Sequence, residues 1–170
     1  MENYKEIARQ ARIKTLELVW KAQTSHIGSN FSAIDIMTVL FDKVDTNKDE
    51  IILSKGWAAA AWYYFLWRNG IITEEELNSF CQEGSPFIGL VEPMNRWGLR
   101  CAGGSMGMGI SFAVGFALSK KLKGEEGKVY CLMSDGEMQI GTTWESALIA
   151  NQHFLSNLIV LVDDNKFCAM

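Results

Sequence analysis

Two short apolar runs that stop abruptly on aspartates constrain this chain more than any other feature. Val129–Met133 ends at Ser134-Asp135-Gly136, and Leu158–Val162 ends at Asp163-Asp164-Asn165. Between them lies a segment with helical spacing, marked by Trp144, Leu148 and, one turn later, Phe154 and Leu155. Strand, crossover and strand make a βαβ unit, since parallel neighbours need a connection long enough to hold a helix. Continuous rather than alternating hydrophobicity in both runs predicts strands buried on both faces. The expected fold class is therefore α/β, a three-layer, mostly parallel sheet with helices on both faces. Ligands of such sheets sit beyond the carboxyl ends of the strands. Asp135-Gly136 and Asp164-Asn165 both lie there, and the crossover sets them side by side.

Their chemistry says what they could hold. Asp135 offers a hard anionic oxygen, Asn165 a neutral amide oxygen, and Gly136 leaves room for a bulky group to approach the backbone. Oxygen donors in small number, without Cys or His, suit Mg²⁺ or Ca²⁺ rather than zinc. Mg²⁺ keeps waters and takes its remaining ligands from substrate phosphates, so one carboxylate and one amide form half of a diphosphate–Mg²⁺ site. Taken singly, Asp-Gly and Asp-Asn are turn formers at strand ends. Their pairing across one crossover, with 27 residues between Gly136 and Asp164, favours the site.

At 170 residues the chain can bury one good core, and a single domain over 1–170 is the default. The net charge of −4 is interspersed, with no basic stripe for nucleic acid. No apolar run approaches the ~20 residues a membrane helix needs, and the opening Met1–Gln10 is too polar for a signal peptide. Cys81, Cys101, Cys131 and Cys168 lack CxxC spacing and read as reduced core thiols of a cytoplasmic protein.

Along the chain, Ile7, Ala11, Leu18 and Ala22 predict an amphipathic helix over Glu2–Gln23. Thr24–Asn30 breaks it and carries His26, and Ser32 is placed to cap a second helix over Ala33–Phe41. Glu50–Leu53 reads as a short strand into Ser54-Lys55-Gly56. Ala58–Trp67 is an apolar helix whose aromatic residues suit a core or a subunit interface. Asn69-Gly70 ends it, and Thr73 caps a helix at Glu74–Glu76. Gly103–Gly109 opens a helix running to about Leu122, where glycines let the backbone approach a ligand and a helix N-terminus favours phosphate. The order is GxxGxG, so a dinucleotide fingerprint is not met. Gly107, Ser111 and Gly115, spaced by four, would also give a flat face for a second helix.

Ser134-Asp135-Gly136, the spacer and Asp164-Asn165 resemble the thiamine-diphosphate motif, usually GDG followed by NN or DN, with Ser134 replacing the first glycine. The segments KAQTSHIGSNFSAIDIMTVLF (21–41), ILSKG (52–56), GGSMGMGISFAVGFAL (103–118), WESALIANQHFLSNL (144–158) and NLIVLVDDNK (157–166) narrow the likeness. Together they resemble the N-terminal, diphosphate-binding part of the transketolase family, collinearly over almost the whole chain. The resemblance implies the thiamine-diphosphate-binding fold, with thiamine diphosphate and Mg²⁺ as cofactors. It further implies transfer of a two-carbon ketol unit from a ketose to an aldehyde, driven by the cofactor's thiazolium carbon.

Carried over residue by residue, the likeness implies Asp135, Asn165 and the backbone carbonyl of Phe167 as metal ligands. Gly104, Ser105 and Met106 match the loop lining the thiazolium and pyrimidine. Gly136 and Glu137, the latter also an acid at a helix start, join Asn165 among cofactor-binding positions. His26 matches the histidine that faces the substrate. Trp57 stands where the family has a histidine on the diphosphate, Leu90 where a Gly-His-Pro segment is expected, and Ile140 where an acid would partner Glu145. Glu145 is then either a lone buried carboxylate or an exposed acid at a helix N-terminus. His153, late in its helix, reads as a packing or C-terminal residue.

These departures imply a divergent donor or acceptor. The family's first domain continues well past Asn165, and its activating glutamate comes from a pyrimidine-binding domain. The implied partners are therefore a C-terminal transketolase subunit carrying that domain, a second copy of this chain, and a sugar or sugar-phosphate substrate. Two alternatives remain open: a non-catalytic scaffold subunit, or another thiamine-dependent reaction such as 2-oxo acid decarboxylation.

Overall fold

The computed structural model describes residues 3–167, and Cys168 lies outside them. The chain forms two compact units, one from residues up to 44 together with 56–92, the other from 45–55 together with 93 onward.

The first unit is helical. Helix α1 (Tyr4–Lys21) starts where the Asn3 side chain accepts from the Lys5 amide, and it buries Ile7, Ala8, Ala11, Thr15, Leu18 and Val19 as one stripe. Helix α2 (Ile27–Lys43) begins six residues before the position expected from a Ser32 cap. The reason is Asn30, whose backbone N–H closes the first helical turn on the His26 carbonyl at 3.2 Å. The break therefore shrinks to the few residues around Gln23 and His26, both with positive φ. After a 3₁₀ turn at Gly56–Ala58, helix α3 (Ala59–Arg68) is buried on every side from Ala59 to Leu66. That is the behaviour of a helix apolar all round. Its aromatic residues make the core: Trp62 and Phe65 pack on Phe41 with centroids 5.1 and 5.3 Å apart, and Tyr63 meets Phe87 edge-on at 5.2 Å. Burial pushes the Tyr63 phenol well above its ordinary range. Helix α4 (Glu74–Asn78) is capped by Thr73, as the sequence predicts, and Glu76 completes a capping box.

The second unit is the α/β part. Strands β1 (Glu50–Leu53), β2 (Val129–Ser134) and β3 (Leu158–Asp163) form a wholly parallel sheet in the order β1-β2-β3. Ser134 stands opposite Asp163 in the register, so the two strands end together. Helix α5 (Met108–Lys123) packs on the sheet, and α6 (Gly141–Gln152) packs on α5. Ile52, Ile110, Val114, Val129, Met133 and Leu155 belong to the core between them. Cys131 and Cys101 are buried beside them and Cys81 is half-buried in the helical unit; all three are free thiols, as expected.

Burial on both faces holds for β2 but not for β3, whose Val160 and Val162 are exposed. Among the described residues β3 pairs with β2 alone, and Trp144, Leu148 and Phe154 of the crossover also face outward. The flat face of α5 is used in part. Ser111 Oγ meets Ser146 Oγ of α6 at 2.8 Å, and a β-carbon on Gly107 would press on Ile140 and Thr143, while Gly115 faces open space. Gly109 in α5 has no room for a side chain: a β-carbon there would lie 2.6 Å from Ser54 Cα and closer still to its side chain.

Candidate cofactor site

The carboxyl ends of all three strands converge with the N-terminal end of α5. Ser54 and Lys55 follow β1, Asp135 and Gly136 follow β2, and Asp164 and Asn165 follow β3. The glycine loop joins them through the Gly104 amide, which donates to the Ser54 carbonyl at 3.2 Å. Gly104 is half-buried, and Ser105 and Met106 are exposed. Gly107, at φ 82, turns the chain into α5, a left-handed conformation that suits glycine.

Asp135 and the Asn165 loop meet as the spacing predicts. Asp135 Oδ1 accepts from the Gly136 amide at 3.1 Å, and its Oδ2 accepts from the Lys166 amide at 3.0 Å. Asn165 Oδ1 accepts from the Phe167 amide at 2.8 Å, an Asx turn that Lys166 completes with φ 63. Both donors are half-buried, and a carboxylate such as that of Asp135 can accept more than these bonds. An oxygen-only pair of this kind fits Mg²⁺ better than a softer metal. Phe167 is exposed. The Lys166 ammonium pairs with Asp164 at 2.6 Å, and this bond, with Asp135 nearby, holds its pKa above the ordinary lysine value.

Glu137 behaves differently from its expected neighbours. Its carboxylate is 1% exposed and faces protein donors: Ser54 Oγ and the Gly107 amide (3.1 Å) on Oε1, the Ser134 amide (2.9 Å) and hydroxyl (3.3 Å) on Oε2. It fastens the ends of β1 and β2 to the start of α5. Any contribution to cofactor binding is therefore through placement of Gly107 and the Asp135 turn. Glu145 and His153 are exposed on α6 and at its end, so the exposed reading of Glu145 is the one realised.

Sequence reasoning missed a second buried contact at this end of the sheet. Lys55 Nζ pairs with Asp163 Oδ2, both side chains 7% exposed. The signal was present in the period of two: Asp163 continues the inward side of β3, with Val160 and Val162 on the other.

In the helical unit, His26 and Trp57 stack face to face, with ring centroids 3.8 Å apart and planes 9° from parallel. Ser25 Oγ lies 2.6 Å from His26 Nδ1. Gly89 lines a small cleft with these rings, and the Leu90 carbonyl accepts from the Tyr63 hydroxyl at 3.2 Å.

Likeness to known proteins shows the family. Residues 3–169 match the family described as transketolase, thiamine diphosphate binding domain. An apulose-4-phosphate transketolase subunit of Phocaeicola vulgatus is 31% identical, over 91% of this chain and 58% of its own length. The corresponding subunit of Actinobacillus succinogenes is 32% identical, over 96% and 64%. The crystal structure of transketolase from Campylobacter jejuni superposes with a TM-score of 0.88 at 28% identity, over 99% of this chain and 29% of that one. The chain belongs to the transketolase thiamine-diphosphate-binding-domain family. It spans about three-fifths of the length of the curated subunits it matches.

Proposed function

We propose that this chain, as the diphosphate-binding part over residues 1–170, is the thiamine-diphosphate- and Mg²⁺-binding component of a two-component, cytoplasmic transketolase. Asp135 and the Asn165 amide oxygen, with the Phe167 carbonyl, would hold Mg²⁺. The Gly104–Met106 loop would lie along the cofactor, and Gly136 would give it room. When bound, the cofactor supplies the thiazolium carbon that makes two-carbon transfer from a ketose to an aldehyde possible. The chain's own part is to bind and orient. Asp135 supplies charge for the metal, and the amides at the start of α5 favour the diphosphate. His26 is the candidate for facing the substrate, and Trp57 for lying along the cofactor where a histidine is expected.

The observation that carries this reading is the meeting of Asp135 with the Asn165–Phe167 loop beside the glycine loop, all at strand carboxyl ends. The names of the relatives add support, since two are subunits of apulose-4-phosphate transketolases, and a third is subunit SqwG of a 6-deoxy-6-sulfo-D-fructose transketolase. The partner is accordingly a second subunit carrying the pyrimidine domain and its glutamate, and self-association of this chain belongs to the same assembly. The test is calorimetric titration of thiamine diphosphate with Mg²⁺ into the chain co-purified with that partner. The expected result is Mg²⁺-dependent heat that EDTA and Asp135→Ala abolish. Absence of binding in the complex would overturn the reading in favour of a scaffold subunit. Turnover of a 2-oxo acid instead of a ketose phosphate would overturn the transferase assignment alone.

A further inference from the structure

Asn30 carries no role in the sequence reading, yet its side chain is 2% exposed and fully engaged. Its Nδ2 donates to the His26 carbonyl at 2.9 Å and to the Trp57 carbonyl at 3.1 Å. Its Oδ1 accepts from the Ala61 amide at 2.8 Å. Both donor hydrogens of the carboxamide are thus committed to two carbonyls belonging to residues far apart in the chain. An apolar side chain of similar size could fill the same space, but the Trp57 carbonyl and the Ala61 N–H would lose these bonds, and the His26 carbonyl would keep only the Asn30 backbone amide. What the carboxamide adds over packing is a fixed relation between the backbone at His26 and the backbone at Trp57.

The two rings follow that relation. His26 is held at φ 71, a left-handed conformation that its surroundings must maintain, and its imidazole lies flat on the indole. Ser25 engages Nδ1, so Nε2 is the ring nitrogen left to meet a substrate. We propose that Asn30 is a positioning residue that locks His26 and Trp57 into one stacked plate and so aims His26 Nε2. The proposal rests on the reading of His26 as the substrate-facing histidine. It adds that Trp57 acts as the backing of that histidine.

The test uses the full chain and needs no cofactor. With two histidines in the sequence, the imidazole signals are assigned by His26→Gln. In a ¹H–¹³C spectrum the His26 ring protons should be displaced upfield of those of exposed His153 by the indole ring current. Trp57→Leu should abolish the displacement, and Asn30→Ala should shrink it while leaving the His153 signals in place. In the wild-type chain both Asn30 side-chain amide protons should exchange slowly with D₂O. This last measurement decides the matter even if Asn30→Ala fails to fold. Rapid exchange, or an unshifted His26 ring in the wild type, or full displacement in folded Asn30→Ala, overturns the clamp. In the reconstituted enzyme, Asn30→Ala should lower kcat/KM by roughly 10- to 100-fold through kcat, the scale of a misplaced catalytic group. If His26→Gln leaves transfer intact, the role of His26 fails while the spectroscopic result stands, so the two failures are distinguishable.

Discussion

Replacing Glu137 by glutamine changes one atom and tests whether this buried carboxylate holds the site end of the sheet together. The carboxylate accepts from four donors, two on each oxygen, and two of the four are backbone amides, those of Gly107 and Ser134. A glutamine presents one oxygen and one NH₂. In one orientation the NH₂ confronts the Ser134 amide, in the other the Gly107 amide, so one buried N–H loses its acceptor either way. That omission costs about 1–3 kcal/mol, and the surviving bonds weaken from charge-assisted to neutral strength, each by about 1 kcal/mol. Relief of the buried charge offsets part of the sum. A net loss of about 2–4 kcal/mol follows, which for a chain of this size lowers Tm by roughly 4–16 °C. The assay is thermal unfolding followed by circular dichroism, with Glu145→Gln as control. Exposed on α6, that substitution should stay within about 0.5 kcal/mol of wild type. Glu137→Gln melting with the control would refute the staple, and with it the view that Gly107 and the Asp135 turn are placed by this group.

The buried Lys55–Asp163 pair predicts an asymmetric response: Lys55→Met takes the lysine's charge away from a buried carboxylate and should cost about 3–5 kcal/mol, whereas adding Asp163→Leu should restore part of it. A double variant no more stable than the single, by the same melts, would contradict this. Burial, reinforced by the Glu50 carboxylate and opposed by Arg100, pushes the Cys101 thiol up to about 11, and burial raises Cys131 further. A raised thiol pKa means less thiolate below it, so about a thousandth of Cys101 is reactive at pH 8, rising roughly tenfold per pH unit towards 11. Peptide mapping after iodoacetamide should show Cys101 and Cys131 unmodified in the folded chain at pH 8 and modified in denaturant. Ready modification of the folded chain at pH 8 would count against their burial.

Most of the sheet and the meeting of Asp135 with the Asn165 loop were legible because they depend on local period and on strand ends. Val129–Met133 and Leu158–Val162 announce parallel strands, and the crossover between them sets their carboxyl ends side by side, as the pairing of Ser134 with Asp163 bears out. Aromatic residues at 62–65 gave their place away by being apolar on all sides of one helix. What the sequence did not disclose are relations between distant residues. The face of β3 that stays open and the glycine that touches Ser54 depend on which elements happen to cover which. Likewise, the Ser134–Glu137 capping box is a local signature, but the donors from Ser54 and Gly107 that complete the burial of Glu137 come from distant segments. The acid after Asp135-Gly136 turns its carboxylate to protein donors, a contact set that one dimension does not show in full.

The same limit explains the helix start at Ile27. Ser32 is a good cap by residue type, but a cap contributes only about 1 kcal/mol. Burying Asn30 with every hydrogen-bonding group paired outweighs it, because the alternative leaves three backbone groups and a carboxamide without partners. The helix therefore extends back to His26 and fixes its carbonyl, and the cost of a left-handed His26 is carried by the Asn30 network. Where a local preference and a buried polar network compete in this chain, the network wins, at Asn30 as at Glu137. The Asn30 network ends on His26 and Trp57, and the Glu137 network on the turns that carry Gly107 and Asp135. The rigidity that such a site needs thus comes from buried polar groups one step removed from the chemistry.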